Sequence, residues 1–531
     1  MNRIGTTPGN IFSTNISQLD YLLKEGGIRI PKNKDGVSIL IKGSAGAGKS
    51  TLALLLAARC AKEGGPSLYC ALEQNEDSII QLANSMIEDE ELSGLNWLQE
   101  EDAPPDKDNF EGFICVSRLY SSKSREDFKD YTYLLETQTQ KFINYYGTEK
   151  TSMIVIDSLN VFGPSSITRL EFEKLKETLA AENRILIFIG EPDSKNPNLE
   201  WDRLVDLVIE LGNKPSVGDY FLRSITISKA RFQNHILGSH VVKIKGRGSE
   251  IAPSGGAEAS VAGKKADIGF FIYPSLHYHL SVAINRKQMF DIEETQDTKK
   301  LQTGFTALDY ALDGGVKRGT MTVISSDLSY VAKGIGLSFL ANGVENNEKC
   351  LYLSLQDDED SIKKLPSEKN INDMVFEDNL VIKSFRPGFI TAEEFVDRII
   401  NVILDSTKQN AIFQRVVFDD VSQIGLRFPL LENAPVFLPT LMDIFKLYDM
   451  TAMFLSTTVS SKDFQAPPKN NLYDLVNTVI EIQGLDSASE NEAAVNIRKV
   501  AEQFYVPKEL KLLIEHQAGG RISIMDQTSK T

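Results

Sequence analysis

Short apolar runs alternate with longer stretches of helix-forming residues along the chain. In the first half the apolar runs begin at Val37, Ser67, Met153 and Ile185. Short apolar runs bounded by turn residues are typical of strands buried on both faces, as in a parallel sheet. The stretch STLALLLAARCA, from Ser50, contains unbroken good helix formers and predicts a buried helix. The pattern predicts an α/β fold in which helices flank a mostly parallel sheet.

The second half of the chain repeats the order of the first. SQLDYLLKEGGI, from Ser17, returns as TALDYALDGGV from Thr306, and YCALEQNEDSI, from Tyr69, returns as YLSLQDDEDSI from Tyr352. A repeat of this length predicts two large domains of one type, because solenoid repeats recur at much shorter periods. A chain of 531 residues also exceeds what one core usually supports. The predicted domains are residues 1–285 and 286–531.

Two segments depart from the alternating pattern of the first domain. Residues 88–108 are rich in Asp and Glu and contain Pro104-Pro105, which predicts a solvated loop or insertion, with a functional lid as the alternative. Residues 253–265 have the composition of a linker. The run GFFIYPSLHYHLSV that follows predicts strands split by a turn, so the connection is only partly flexible.

The strongest motif lies between the first apolar run and the helical stretch. Residues 43–50 read GSAGAGKS and match GxxxxGK[ST] in full. Glycines here let backbone N–H groups surround phosphate oxygens, and the helix N-terminus favours negative charge. Lys49 is expected to reach the β and γ phosphates, and Ser50 to ligate Mg²⁺. The predicted nucleotide-binding residues of this phosphate loop are Gly43, Ser44, Ala45, Gly46, Ala47, Gly48, Lys49, Ser50 and Thr51.

Two carboxylates follow predicted strands of the same domain. Asp157 ends the run MIVID, at the edge where open parallel sheets bind ligands, and is predicted to hold Mg²⁺ together with Ser50. Glu73 follows SLYCAL and is predicted to orient or deprotonate the water that attacks the γ-phosphate. Either carboxylate could instead cap the helix that comes after it.

These motifs, together with KARFQNH at residues 229–235, resemble the KaiC branch of the RecA-like ATPases over most of the chain. The resemblance implies two tandem RecA-like phosphate-loop domains, ATP hydrolysis with Mg²⁺, and a homo-oligomer that is a hexameric ring. It also implies that Lys229, Ala230, Arg231 and His235 contact the nucleotide of a neighbouring subunit, and that Ser85 contacts its own. A cation from a neighbour would stabilise the transferring phosphoryl group.

Two observations qualify the resemblance. Gln74 stands where the family has a second glutamate, so hydrolysis would be slower than in relatives if that carboxylate contributes. Taken without the family, ITISKARFQNH predicts a strand with an exposed basic end that meets solvent or nucleic acid.

The second copy lacks most of the chemical groups of the first. Aligned on Lys333, its loop reads DLSYVAKG, with bulky residues where the backbone must approach phosphate and no hydroxyl after the lysine. Gln356 replaces the catalytic glutamate, and Arg498-Lys499 lacks the K-x-R spacing. We therefore predict a pseudo-ATPase domain that acts as a scaffold or docks a protein partner. Asp419 survives, which leaves residual nucleotide binding open, whereas the broken loop argues against the self-phosphorylation of the family's clock members.

Composition bears on three further possibilities: a nucleic-acid partner, a metal site other than magnesium, and disulfides. The formal net charge of −16 disfavours nucleic acid as a partner, although a local basic groove is compatible with it. Four cysteines without a CxxC pair indicate neither a zinc ribbon nor disulfides. His277 and His279 have no third ligand nearby, which predicts ordinary packing.

The sequence contains no signal peptide and no apolar run of about 18 residues, so we expect a cytoplasmic protein without membrane contact. Two alternatives to a signalling or regulatory ATPase stay open. One is a RecA-like motor that threads DNA, as recombinases and helicases do, and the other is a module that holds ATP structurally.

Overall fold

The chain divides into two compact units, Met1–Ser275 and Leu276–Thr531. The boundary predicted after residue 285 falls outside the described residues and stays a prediction. The computed structural model describes residues 10–32, 36–87, 96–99, 113–118, 137, 139, 151–162, 169–191, 201–215, 221–247, 268–280, 300–365, 371–376, 379–385, 390–408, 412–432, 434, 436–457, 472–484, 492–501, 505, 510–515 and 521–526.

A sheet forms the centre of the first unit, and a small two-stranded sheet of β1 and β2 lies apart from it. The strands are β1 (Asn10–Phe12), β2 (Ile28–Ile30), β3 (Val37–Gly43), β4 (Pro66–Ala71), β5 (Asn96–Gln99), β6 (Phe113–Arg118), β7 (Ser152–Asp157), β8 (Arg184–Gly190), β9 (Leu207–Pro215), β10 (Phe221–Ala230), β11 (His240–Lys245) and β12 (Gly269–Tyr273). In the described residues the main sheet has ten strands in the order β12-β11-β10-β9-β3-β8-β7-β4-β6-β5. The strands from β9 to β5 are parallel, and β10, β11 and β12 extend the sheet antiparallel.

Helices cover this sheet because the segments between the strands carry apolar faces. The helices are α1 (Ser17–Leu22), α2 (Lys49–Lys62), α3 (Glu76–Met86), α4 (Arg169–Leu179) and α5 (Trp201–Leu204), with a 3₁₀ turn at Leu159–Phe162. α2 is buried over most of its length, which explains its lack of a polar face. The Asn75 side chain accepts a hydrogen bond from the Ser78 backbone N–H at 2.8 Å and so caps the start of α3.

The second unit repeats this architecture. Its strands are β13 (Lys300–Leu301), β14 (Val316–Lys317), β15 (Met321–Ser326), β16 (Lys349–Ser354), β17 (Leu380–Ser384), β18 (Phe413–Asp419), β19 (Thr451–Thr457), β20 (Thr478–Gly484), β21 (Glu492–Val500), β22 (Leu510–Glu515) and β23 (Arg521–Asp526). Among the described residues nine of them form one sheet in the order β17-β16-β18-β19-β15-β20-β21-β22-β23. The strands from β17 to β20 are parallel, and the last three are antiparallel.

The helices of the second unit pack apolar faces on both sides of its sheet. They are α6 (Thr306–Ala311), α7 (Ser329–Glu345), α8 (Glu359–Lys363), α9 (Ile371–Phe376), α10 (Ala392–Lys408), α11 (Ile424–Arg427), α12 (Pro429–Glu432), α13 (Phe437–Leu447) and α14 (Leu472–Leu475), with a 3₁₀ turn at Val421–Gln423. Phe395 of α10 lies at the centre of one core and makes an edge-on contact with Phe437. The predicted α/β class, with two mostly parallel sheets flanked by helices, is confirmed.

Three local predictions have different outcomes. Within the predicted loop 88–108, residues 96–99 form β5, which pairs parallel with β6, and the remainder lies outside the described residues. The predicted linker 253–265 also lies outside them. The second strand predicted after Pro274 is wrong, because residues 276–280 are helical. Leu276 and Leu280, four residues apart on one helix face, pack into the core of the second unit.

Two further findings concern metals and membranes. Within the described residues no group of three or more His, Cys, Asp or Glu side chains is placed to hold a metal ion. None of the helices that the structure describes is long and apolar enough to cross a bilayer.

Candidate functional site

The phosphate-loop motif closes the turn between β3 and α2. β3 ends at Gly43 and α2 begins at Lys49, so five residues make the turn. Gly46 and Gly48 have φ of +73° and +100°, a region that residues with a Cβ rarely adopt. A Cβ on Gly48 would lie 2.4 Å from Cδ1 of Ile244. The shape of this turn therefore depends on glycine, as expected of a backbone cradle for phosphate.

The ammonium of Lys49 lies within this turn. Its Nζ donates hydrogen bonds of 2.9 Å to the carbonyl oxygens of both Gly43 and Ser44, and it lies 3.0 Å from Oε1 of Glu191. The side chain is buried, with 8% of the residue exposed. A cation held at the first residue of α2 is suited to binding phosphate at the helix N-terminus.

Asp157 and Ser50 meet at the carboxyl edge of the sheet. Asp157 is the last residue of β7, and the hydroxyl of Tyr69 donates a 2.7 Å hydrogen bond to its Oδ2. Burial raises the pKa of Asp157, while hydrogen bonds from Tyr69 and Ser50 and the charge of Lys49 act in the opposite direction. A hydroxyl and a carboxylate in contact form an oxygen pair of the kind that Mg²⁺ prefers. The residues present therefore fit a magnesium ion at this edge.

Glu73 lies at the same edge, beside the metal-binding candidate. It comes two residues after Ala71, which pairs with Asp157 across the sheet. The Ser158 hydroxyl donates a 3.3 Å hydrogen bond to Oε1 of Glu73, and the peptide bond between Asp157 and Ser158 is cis. Glu73 and Gln74 are both exposed. A carboxylate in this position has access to the water needed for hydrolysis.

Glu191 is a site residue that the sequence analysis missed. It follows β8, which lies between the loop strand β3 and the Asp157 strand β7. Its backbone N–H donates a 2.7 Å hydrogen bond to Oδ1 of Asn160, and its carboxylate is the one beside Lys49. A signal was present, because Glu191 follows the run ILIFIG just as Asp157 ends MIVID.

Two more polar side chains reach the loop from β9 and β10. Nε of Arg223 donates to the carbonyl of Gly46 at 3.3 Å, and Nδ2 of Asn213 donates to Oγ of Ser44 at 3.4 Å. Neither residue belongs to a motif. They come to the loop because β9 pairs with β3 and β10 with β9, which the sequence pattern does not reveal.

Ser85 lies at the side of the site, near the end of α3. Its hydroxyl donates to the Leu82 carbonyl at 2.8 Å, and its own carbonyl accepts the Arg247 backbone N–H at 2.8 Å. Arg247 follows β11, the strand that also supplies Ile244 behind the glycines of the loop. Ser85 therefore lies against the segment just after β11, the strand whose Ile244 packs on the phosphate loop. Whether it contacts a nucleotide stays a prediction.

The segment predicted to act on a neighbouring subunit, residues 229–231, lies at the opposite edge of the sheet from the loop. Ala230 pairs with Leu207, and Leu207 pairs with Ile39, which precedes Gly43 by four residues. At a rise of roughly 3.3 Å per residue the segment is set back about 13 Å along the strand direction from the end of β3, and it also lies two strands away across the sheet. The structure does not bring it to the phosphate loop of the same chain.

Arg231 and His235 differ in their surroundings at this edge. The Arg231 side chain is 48% exposed, and its NH1 lies 3.4 Å from Oδ1 of the buried Asp206. His235 is half-buried. Burial lowers the pKa of His235, and the charge of Lys24 adds to that effect. Arg231 therefore presents its guanidinium to solvent, whereas the surroundings of His235 favour a neutral ring.

The corresponding turn of the second unit is closed. β15 ends at Ser326 and α7 begins at Ser329, so two residues replace the five of the first unit. Lys333 consequently lies in the second turn of a helix, not at its start. The sequence alignment on Lys333 predicted a degenerate loop, and the structure shows that most of it is helix. Asp327, the first residue of that aligned loop, accepts the Gly484 backbone N–H at 3.0 and 3.2 Å.

Two carboxylates of the second unit lie beside the ammonium group of Lys333. Lys333 forms an ion pair with Asp357 and lies 3.8 Å from Oδ2 of Asp419. Tyr352 donates a 2.7 Å hydrogen bond to the same carboxylate. Burial raises the pKa of Asp419 to about 6, although Lys333 and Tyr352 lower it. The aspartate at the end of the strand, Asp419, is thus retained, but its carboxylate faces Lys333 of the same unit.

Comparison with protein families gives two matches to one family. The model of the family "ATPase: KaiC" matches residues 12–256 and again residues 301–528. These matches cover most of the chain and agree with the tandem duplication. None of the curated proteins compared with the chain matches it.

Proposed function

Since this chain belongs to the KaiC family of ATPases, we propose that its first unit binds and hydrolyses ATP, while its second unit serves as a scaffold or docks a protein partner. The difference between the two turns carries this proposal. In the first unit a five-residue, glycine-dependent turn surrounds Lys49, whereas in the second a two-residue turn leads directly into α7. A two-residue turn without glycine has no loop of backbone N–H groups long enough to surround a triphosphate.

Each residue of the first site has one role in the proposed reaction. The loop N–H groups and Lys49 bind the β and γ phosphates, and Ser50 and Asp157 would hold Mg²⁺. When bound, Mg²⁺ neutralises charge on the phosphate oxygens. Glu73 accepts a proton from the water that attacks the γ-phosphate, which its exposed carboxylate beside Ser158 supports.

We further propose that the chain assembles into a homo-oligomeric, hexameric ring in which Arg231 completes the site of the next copy. Two observations support this. Arg231 is half exposed, and it lies at the edge of the sheet opposite its own loop. A guanidinium brought in by a neighbour would stabilise charge on the transferring phosphoryl group and make hydrolysis depend on assembly. Hydrolysis would then switch the conformation of a cytoplasmic signalling or regulatory ring.

The experiment compares ATPase rates of Lys49→Ala, Arg231→Ala and the matched control Lys333→Ala, with oligomer size measured by mass photometry. The first two variants should lose at least about 100-fold in rate, because each removes a charge that contacts the reacting phosphate. Lys333→Ala should keep the wild-type rate. Mixing the two inactive variants should restore part of the activity, since some interfaces then combine an intact loop with an intact Arg231. An Arg231→Ala oligomer that hydrolyses ATP at the wild-type rate would refute the proposal.

A further inference from the structure

Lys229, the first cation of residues 229–231, uses all its hydrogen-bond donors within its own chain. Its Nζ donates to three carbonyl oxygens, those of Asp202, Arg203 and Val205, at 2.7, 3.2 and 2.6 Å. A lysine ammonium has three N–H groups and no more. The acceptors are carbonyls at the end of α5, which have no partner inside the helix. Lys229 therefore satisfies a helix terminus that would otherwise lose its hydrogen bonds.

The second unit contains a lysine in the same place. Nζ of Lys499 donates to the carbonyls of Tyr473 and Asp474, in the short helix α14, at 2.9 and 3.4 Å. Lys229 pairs with Val208 of β9, and Lys499 pairs with Val479 of β20. Both strand pairs have an irregular register next to the lysine. Lys229 and Lys499 are thus equivalent positions of the two units.

The neighbouring cation has no such equivalent. The backbone N–H of Arg231 donates to the Asp206 carbonyl at 2.9 Å, and that of Ala501 donates to the Asn477 carbonyl at 2.8 Å. Ala501 therefore stands where the first unit has Arg231. The unit with a closed turn keeps the lysine and lacks the arginine, so the lysine has a function there that does not involve phosphate.

We infer, on the basis of the proposed function, that Lys229 is a positioning residue. Its hydrogen bonds hold the end of α5 against β10 and so fix Arg231, whose guanidinium reaches the neighbouring copy. This revises the role that the family resemblance implies for Lys229. Arg231, by contrast, has more side-chain N–H groups than its contacts to Asp206 and Arg203 use. A guanidinium carries five N–H groups in a fork that fits phosphate, and the contacts of Arg231 to Asp206 and to the Arg203 carbonyl are both long, at 3.4 Å.

The inference is tested with Lys229→Met, Arg231→Met and the double variant, and with Lys499→Met as the matched control in the second unit. Affinities for ATP and ADP and the rate of hydrolysis are measured separately. Arg231→Met should reduce kcat by about 1,000-fold, as loss of an arginine finger does. Lys229→Met should reduce kcat by about 10-fold, keep the ratio of ATP to ADP affinity within about twofold, and lower the melting temperature. The double variant should be no slower than Arg231→Met, because Lys229 acts through Arg231.

Lys499→Met should lower the melting temperature as well and leave the ATPase rate within about twofold of wild type. If Lys229→Met does not assemble, Lys229→Gln takes its place, because its amide keeps two of the donors. A Lys229 variant that weakens ATP binding at least about 10-fold more than ADP binding would show a direct contact with the γ-phosphate and overturn the inference. That outcome is distinct from failure of the proposed function, in which Arg231→Met itself would retain the wild-type rate.

Discussion

The hydroxyl of Tyr69 donates a 2.7 Å hydrogen bond to the carboxylate of Asp157, from β4 to the neighbouring strand β7. The second unit repeats this contact between Tyr352 and Asp419, also at 2.7 Å. Because the pair persists where the phosphate turn is closed, the tyrosine belongs to the scaffold of the sheet. In the first unit that scaffold orients the carboxylate proposed to hold Mg²⁺.

Replacing Tyr69 by Phe should therefore raise the Mg²⁺ concentration needed for half-maximal ATPase activity by about 10-fold, as expected when an oriented ligand loses its hydrogen bond. A Mg²⁺ titration of the hydrolysis rate measures this. Tyr352→Phe is the control, and it should leave the Mg²⁺ dependence unchanged while lowering stability by about 1–2 kcal/mol. A folded Tyr69→Phe variant with the wild-type Mg²⁺ dependence would contradict the prediction.

The two turn glycines should differ in their response to alanine. In Gly48→Ala the added Cβ would lie 2.4 Å from Ile244, and the residue would have to keep a φ of +100°. In Gly46→Ala the added Cβ meets nothing within 4 Å, so only the φ of +73° is unfavourable. We expect Gly48→Ala to weaken ATP binding by more than about 100-fold. Gly46→Ala should lose roughly 10-fold, as about 1–2 kcal/mol of backbone strain implies. Titration with a fluorescent ATP analogue measures both, and equal losses would show that Ile244 does not limit the turn.

Glu191 should compete with the triphosphate for Lys49. Its Oε1 lies 3.0 Å from Nζ, and a carboxylate near phosphate oxygens is repelled by them. Glu191→Gln should therefore tighten ATP binding by roughly 10-fold, which is about 1.4 kcal/mol. Glu173→Gln, which removes a surface partner of Arg169, is the control and should not change the affinity. Weaker binding by Glu191→Gln would instead assign this carboxylate to the support of the loop.

Stability of the second unit should depend on pH through Asp419. Burial raises the folded-state pKa of this carboxyl from 3.8 to about 6, so the folded state retains the proton that the unfolded state releases. Its contribution to the free energy of unfolding is complete below about pH 4 and is lost as pH rises to about 6. Asp419→Asn removes this pH dependence. The free energy of unfolding of the variant, measured relative to the wild type, should therefore be higher at pH 7 than at pH 4 by up to roughly 2–3 kcal/mol. Melting temperatures of both proteins at pH 4 and pH 7 test this, and a constant difference would refute it.

Local patterns in the sequence predicted much of the fold and part of the site. The apolar runs predicted a mostly parallel sheet flanked by helices, and the loop motif identified Lys49 and Ser50, which lie near Asp157 because strands of a parallel sheet end at one edge. Arg223 and Asn213 were missed, since they reach the loop only through the pairing of β9 and β10. The helical start of the second turn at Ser329 was also missed.

By itself, then, the sequence determined the duplication, the α/β class and the glycine-rich turn before Lys49, all of which depend on periodicity or on residues adjacent along the chain. Only the tertiary structure decided which lysine side chains are already ion-paired or hydrogen-bonded within the chain. Lys333 is neutralised by carboxylates, and Lys229 is held by carbonyls more than twenty residues away. The reason is physical: a hydrogen bond needs its donor and acceptor within about 3 Å, and for residues distant in sequence only the packed fold brings them that close.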